Sequence, residues 1–111
     1  MPNIDWLGIV DNEIESLEPL RTLMKLTFLK LNNNKIRDLE PVSNLPMLNA
    51  LFLNDNYVND ISCFYDTQSL TYAELADNCI PKEQLLTMRE KHPQLPLGVD
   101  LDNYVTPEKC Q

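Results

Sequence analysis

Histidine and glycine are scarce in this sequence, and the scarcity limits the chemistry that the chain can perform. The chain has one histidine, His92, and two glycines among its 111 residues. A serine or cysteine nucleophile needs a base beside it, and a phosphate-binding loop needs closely spaced glycines. The sequence holds no Ser/His/Asp set, no glycine-rich loop and no metal-ligand cluster. We therefore predict that the protein is not an enzyme and uses no metal or cofactor.

Cysteine is also scarce. The three cysteines, Cys63, Cys79 and Cys110, are an odd number at spacings that match neither a CxxC zinc site nor a disulfide framework. The simplest interpretation is that they are free thiols and that nothing pairs them. Their redox state is left open by the sequence.

Long apolar runs and an excess of basic charge are both missing. The chain has no stretch of about 18 apolar residues, and its first residues lack the basic start and apolar run of a signal peptide. Nine basic residues stand against seventeen acidic ones, a net charge of −8, which disfavours nucleic acid. We expect one cytoplasmic domain that binds neither nucleic acid nor membrane. The sequence of a secreted protein supplied without its leader would show the same features.

What the sequence does contain is a repeat of 22 residues. The unit at 26–47 is preceded directly by a unit at 4–25 and followed by one at 48–69, and a partial unit covers 70–80. Apolar residues recur at repeat positions 1, 4, 6, 11, 14, 17 and 20. Position 9 is an asparagine in every unit: Asn12, Asn34, Asn56 and Asn78.

The pattern LxxLxLxxNxI resembles the leucine-rich repeat family, in the 22-residue variant of internalin-like bacterial proteins and of phosphatase regulators of the Sds22 type. The resemblance covers about residues 4 to 80. It implies a short α/β solenoid, or horseshoe, with a parallel concave sheet and a convex side of turns and 3₁₀ segments. Thr67 and Ala73 depart from the aliphatic pattern, and Ala73 weakens the core contact of the last strand.

The residues themselves predict the same local structure. The alternation in LxL is the signature of a short strand with one buried face, which places strands at 6–8, 28–30, 50–52 and 72–74. The four asparagines are predicted to form a structural ladder. A buried amide must be hydrogen-bonded, and backbone groups of its own and the adjacent turn are the natural partners. A catalytic amide is a remote alternative.

Residues 81–111 are predicted to cap the carboxyl-terminal end. The run PKEQLLTMREKH begins with proline and carries its acidic residue early and its basic residues late, which predicts a short helix. Leu85, Leu86 and Met88 would cover the last repeat, and His92 would stabilise the end of the helix. The alternating apolar residues of 95–101 predict a final edge strand.

We expect the amino-terminal end to lack a comparable cap, since three residues of this sequence precede the first unit. An end repeat without a cap leaves its apolar stacking face in water. We expect two chains to meet there edge to edge as a two-fold homodimer. The alternative is that upstream sequence supplies the cap.

Function is predicted on the concave face, at repeat positions 3, 5, 7, 8 and 10, which lie between and around the strand leucines. Five of the eight aromatic residues fall there, and clustered exposed rings mark interaction sites. The predicted partner-binding residues are Trp6, Phe28, Lys30, Phe52, Asn54, Tyr57, Tyr72 and Glu74. Two other interpretations stay open: the rings could lie under the tail or could reflect strand propensity alone.

Position 8 holds a second polar column, Asp11, Asn33, Asp55 and Asp77. Such residues commonly bond local backbone before a tight turn. A calcium ladder is the sharper alternative, but single side chains one strand apart fall short of the six to eight oxygens that the ion takes.

We predict a non-catalytic protein-protein interaction module whose partner has a basic or mixed apolar surface. Regulation or inhibition of an enzyme is a specific form that the resemblance to the Sds22 type allows. The alternative is a structural repeat segment or fragment of a larger leucine-rich repeat protein.

Overall fold

The computed structural model describes residues 4–111, and these form an open solenoid around one parallel sheet. The strands are β1 (Trp6–Gly8), β2 (Phe28–Lys30), β3 (Ala50–Phe52) and β4 (Tyr72–Glu74). Each strand pairs with the next in sequence, so the order is β1-β2-β3-β4. Leu7 lies opposite Leu29 and Leu29 opposite Leu51, so equivalent positions of the units are aligned. The predicted fold and all four strand positions are confirmed.

Single turns of helix carry the chain back between strands. Glu18–Leu20 and Ser62–Phe64 are 3₁₀ turns, whereas Glu40–Ser43 is one turn of α-helix, α1. Pro19 and Pro41 are the second residues of two of these turns, where the missing backbone N–H costs nothing because the first turn has no acceptor for it. Such short returns allow parallel strands to follow one another within 22 residues.

The apolar columns of the repeat form a core between the sheet and the returns. Leu29, Leu51 and Ala73, the position-4 residues of β2 to β4, are almost completely buried, and Leu7 of β1 is half-buried. The alanine is tolerated because the tail that follows the helix covers the last strand. The core is therefore closed at the carboxyl-terminal end and thinner at β1.

Three of the four predicted ladder asparagines, Asn34, Asn56 and Asn78, are buried at the strand ends. Asn56 shows the pattern: its Nδ2 donates to the carbonyls of Leu31 at 2.9 Å and Leu53 at 3.2 Å, and its Oδ1 accepts from the N–H of Ile36 at 3.1 Å. Leu31 and Ile36 belong to the preceding unit. Each buried asparagine therefore ties its own turn to the turn before it.

Asn12 does not share this arrangement, and the prediction that it belongs to the ladder is wrong. Asn12 is exposed, and its Nδ2 donates to the carbonyl of Val10 in its own turn at 2.8 Å. The other three asparagines bond a carbonyl and an N–H of a preceding unit, and residues 4–111 contain no unit before β1. An amide in this column is buried only where a preceding turn covers it.

Helix α2 (Lys82–Lys91) closes the other end. Leu85 and Met88, three positions apart, share one helical face and are buried. Leu86 lies on another face and is 38% exposed, so the prediction that it covers the last repeat is wrong. The ring of His92 donates from Nε2 to the carbonyl of Tyr65 at 2.7 Å, a contact that the sequence did not indicate. No helix within residues 4–111 is long and apolar enough to cross a membrane.

The tail after α2 lies along β4 but forms no strand, which corrects the predicted edge strand. The N–H groups of Ala73 and Leu75 donate to the carbonyls of Pro96 at 3.3 Å and Leu97 at 2.9 Å. Pro96 has no N–H to return, and Gly98, with a φ of 70°, turns the chain away directly afterwards. The buried tail side chains are Leu95, Leu97 and Leu101.

The last residues return to the ladder, where Cys79 and Cys110 form a disulfide with Cα atoms 5.6 Å apart. The interpretation of these two residues as free thiols is wrong, and Cys63 alone is free within residues 4–111. Tyr104 guides this path, because its hydroxyl donates to the carbonyl of Ile80 at 2.5 Å. The spacing of 31 residues gave no signal of the bond, since the pairing depends on the course of the tail.

We expect Cys110→Ser to lower the free energy of unfolding by about 2 to 4 kcal/mol, because a cross-link over this many residues restricts the unfolded chain. Urea unfolding without reductant measures the change. Cys63→Ser is the matched control and should unfold like the wild type. A wild-type midpoint for Cys110→Ser would contradict the pairing.

Asn56→Leu should cost about 1 to 3 kcal/mol of stability, because the buried backbone groups that Asn56 serves would lose their partners. Asn12→Leu makes the same change at the exposed equivalent and should cost much less. Thermal and urea unfolding of the two variants tests this difference. Equal losses in both would show that burial of the column is not what matters.

Candidate functional site

Four aromatic rings form one continuous row across all four strands. The ring centroids of Trp6 and Phe28 are 5.5 Å apart, those of Phe28 and Phe52 are 4.9 Å apart, and those of Phe52 and Tyr72 are 5.2 Å apart. All four side chains lie on the sheet face opposite the leucine core, since side chains alternate along a strand. We call Trp6, Phe28, Phe52 and Tyr72 the aromatic row.

Two small residues make room for the rings. A Cβ placed on Gly8 would lie 2.6 Å from Cη2 of Trp6, so the indole lies over the backbone of its own strand. Ala50 occupies the position in β3 that Phe28 and Tyr72 occupy in β2 and β4, and it is buried. The rings therefore lie against the sheet and remain partly exposed. Trp6 is 56% exposed and Tyr72 is 37% exposed.

A polar network fixes the Tyr72 end of the row. The hydroxyl of Tyr72 donates to Oε2 of Glu74 at 2.6 Å, and Nδ2 of Asn54 donates to Oε1 of Glu74 at 2.9 Å. The hydrogen bond to the carboxylate raises the pKa of Tyr72. Glu74 is thus held on both oxygens, and it orients the tyrosine.

Asn54 has a second structural role that the sequence analysis missed. Its Oδ1 accepts from the N–H of Ala76 at 2.9 Å, and its own N–H donates to Oδ1 of Asn32 at 2.9 Å. The amides of Asn32 and Asn54 therefore form a short second ladder at position 7, beside the buried one at position 9. The paired asparagines in NNN and NDN were the available signal.

Lys30 and Tyr57, the remaining predicted site residues, lie in different places. Nζ of Lys30 is 5.9 Å from the ring centroid of Phe52, so this cation stands beside the aromatic row. Tyr57 is outside the row, where Nζ of Lys109 is 4.7 Å from its ring centroid and Cζ of Arg37 is 5.3 Å from it. The ring of Tyr57 therefore already contacts two cations of the chain itself.

The position-8 column, Asp11, Asn33, Asp55 and Asp77, follows the strand ends and is exposed. Its residues have φ values of 58°, 61°, 62° and 57°, a left-handed conformation that asparagine and aspartate tolerate best among residues with a side chain. This backbone conformation explains the residue types, in place of the local side-chain bonds that we expected. Nδ2 of Asn33 donates to Oδ1 of Asp11 at 2.7 Å. Residues 4–111 hold no cluster of three or more groups suited to a metal ion.

Comparison with known proteins agrees with this architecture. A family profile described as Leucine Rich repeats (2 copies) matches residues 2–44. An internalin (InlF) from Listeria monocytogenes is 30% identical with a TM-score of 0.60, over 69% of this chain and 23% of that one. Internalin C2 (InlC2) from the same organism is 37% identical with a TM-score of 0.61, over 63% of this chain and 31% of that one. No curated protein matches the sequence significantly.

The fold and the strand register define the class as a parallel repeat solenoid. The family match and the two structural neighbours support a leucine-rich repeat protein within that class. Domains of this kind generally act as protein-protein interaction modules and are typically non-catalytic. The chain spans 23% of the length of the first internalin structure and 31% of the length of the second.

We expect Gly8→Ala to push the indole of Trp6 away from β1, because the added methyl group would overlap the ring. Trp6 is the only tryptophan, so its emission spectrum reports the movement directly. Stability should change by less than about 1 kcal/mol. Leu86→Ala, on α2, is the control, and an unchanged spectrum in Gly8→Ala would contradict the ring placement.

Proposed function

We propose that the chain binds another protein through the aromatic row. The observation that carries the proposal is a continuous set of four rings on a sheet face that the leucine core does not use. Exposed aromatic clusters of this kind are typical of interaction sites. Phe28, Phe52 and Tyr72 are the central anchors, since their neighbours already restrict them and little side-chain entropy remains to be lost on binding.

The polar residues around the row have separate roles in this proposal. Asn54 and Glu74 hold Tyr72 in place, and Lys30 offers a cation beside Phe52. Tyr57 contributes at the margin at most, because its ring is covered by Arg37 and Lys109. The net charge of −8 favours a partner with a basic or mixed apolar surface.

The resemblance to the Sds22 type supports a narrower form of the same function, in which the chain regulates or inhibits an enzyme by covering its surface.

We infer that the protein works outside the cytoplasm, the second of the two locations considered from the sequence. The support is the Cys79–Cys110 disulfide, since such bonds persist mainly in oxidising compartments.

The amino-terminal end favours the second candidate function, a repeat segment that joins a larger array. Leu7, Ile9 and Ile14 are half-buried there, and the amide of Asn12 has no preceding turn to bond within residues 4–111. A further repeat or a second copy of the chain would cover these groups. The homodimer stays a prediction.

Phe52→Asp should abolish capture of the partner, because it places a charge in the centre of the row. The melting temperature should stay within a few degrees of the wild type, since Phe52 is not part of the core. Quantitative mass spectrometry of proteins retained by the two chains measures capture. Leu86→Asp, an exposed leucine on α2, is the control that should retain the partner. Unchanged capture by Phe52→Asp would contradict the proposed function.

A further inference from the structure

The cap that follows α2 is complete at Tyr104. Two tail carbonyls accept the N–H groups of β4, as a following strand would. The hydroxyl of Tyr104 donates to the carbonyl of Ile80. In the unit before, the equivalent carbonyl, on Val58, accepts the backbone N–H of Cys79 at 2.8 Å. Tyr104 therefore replaces the N–H that a further unit would supply, and the hydrogen bonds of the cap end at this residue.

Residues 105–111, which we call the latch segment, lie beyond the cap and make few polar contacts. Val105 is 79% exposed, and the N–H groups of Cys110 and Gln111 donate to carbonyls of the segment itself, both at 3.1 Å. The Sγ atom of Cys110 lies 3.6 Å from the carbonyl of Asn78, but a sulfur in a disulfide has no proton to donate. Within residues 4–111, no hydrogen bond or salt bridge therefore joins the segment to other parts of the chain.

Two directed contacts leave the latch segment. The disulfide joins Cys110 to Cys79, and Nζ of Lys109 is 4.7 Å from the ring centroid of Tyr57. A cation–π contact at an exposed site is worth about as much as thermal energy, so the disulfide is what keeps the segment in place. Cys79 and Tyr57 occupy position 10 of neighbouring units. The segment therefore runs back along this column, and one covalent bond holds a lysine over the tyrosine.

The disulfide is open to exchange. Cys79 and Cys110 are both half-buried, so neither residue is enclosed by the core. Thiol–disulfide exchange depends on the access of an attacking thiolate to a sulfur. Reduction would lower the stability of the chain towards unfolding, but the hydrogen bonds that position the cap do not involve the latch segment. The cap therefore keeps its own contacts when the bond is open.

We propose that the latch segment is a redox-controlled cover over Tyr57, opened by a protein dithiol of the thioredoxin type. One thiolate of the dithiol attacks the Cys79–Cys110 bond and forms a mixed disulfide, and its second thiol displaces that bond. The dithiol is oxidised to a disulfide, and two electrons and two protons pass to the two cysteines. The latch segment then leaves, while Arg37, 5.3 Å from the ring centroid, remains on Tyr57.

Access to Tyr57 thus follows the redox state of two cysteines. In the oxidising compartment inferred above, the closed form is the default, and release requires contact with a reducing protein. Tyr57 is one of the predicted partner-binding residues, so the cover decides whether its ring can be contacted. Closing and opening need no partner, so they can be tested apart from the proposed function.

Nuclear magnetic resonance of the purified full chain tests the cover before and after treatment with reduced thioredoxin. Alkylation and mass spectrometry count the thiols, which should rise from one to three. We expect the backbone order parameters of residues 105–111 to fall from about 0.85 to below about 0.6, while residues 96–104 keep theirs. The side-chain protons of Lys109 should lose their ring-current shift, because the lysine leaves the ring of Tyr57.

Three variants separate the disulfide from other effects. Cys79→Ser with Cys110→Ser should show the open state without reductant and should not respond to thioredoxin. Lys109→Gln removes the cation but keeps the disulfide, so the latch segment should stay ordered until it is reduced. Cys63→Ser is the matched control and should respond to thioredoxin like the wild type, because Cys63 is outside the disulfide.

Three results would overturn the redox-controlled cover. The first is failure of thioredoxin to reduce the folded chain. The second is retention of the Lys109 shift and of the order of residues 105–111 in the fully reduced chain. The third is loss of amide protection at Ala73 and Leu75 on reduction, because the disulfide would then hold the cap itself. None of these results depends on the aromatic row, which Phe52→Asp tests.

Discussion

The hydrogen bonds of the buried asparagines are the constraint on which the remaining structure depends. Asn34, Asn56 and Asn78 each satisfy a carbonyl and an N–H of the preceding turn. An amide can do this only if consecutive turns stack at one fixed offset. Leucine columns would tolerate small displacements between units, because dispersion contacts have little directionality, but the amides do not. The register of the sheet therefore follows from the turns.

That register also builds the candidate site. Because every strand starts at the same point of its unit, Phe28 and Tyr72 lie at matching positions and Phe52 reaches between them from two residues along β3. Ala50 and Gly8 supply the space that these rings occupy. The surface has no binding loop of its own. The same periodicity that forms the core also forms this surface, because large side chains occupy the strand positions that face away from the core.

The periodic part of the structure could be predicted from the sequence, and the non-periodic part could not. The strands and the burial of Asn56 follow from columns that repeat four times. The exposure of Asn12 depends on what precedes it in space, and the Cys79–Cys110 bond depends on a tail that turns at Gly98. Tyr57 has the repeat position of a rim residue, yet Lys109 reaches it from the same tail. These contacts join a residue of a repeat unit to a residue of the tail, which does not follow the repeat, so the periodicity could not predict them.

The disulfide makes the two ends of the solenoid unequal in stability. In a chain of stacked units, each unit is stabilised mainly by its neighbours, so the two ends differ according to how they are closed. Cys110 fastens the tail to the fourth unit, while β1 has a neighbour on one side within residues 4–111. Local opening should then cost least at Trp6 and most near Phe52 and Tyr72. The four rings should therefore differ in order, with Phe52 and Tyr72 the most rigid and the indole of Trp6 the least rigid.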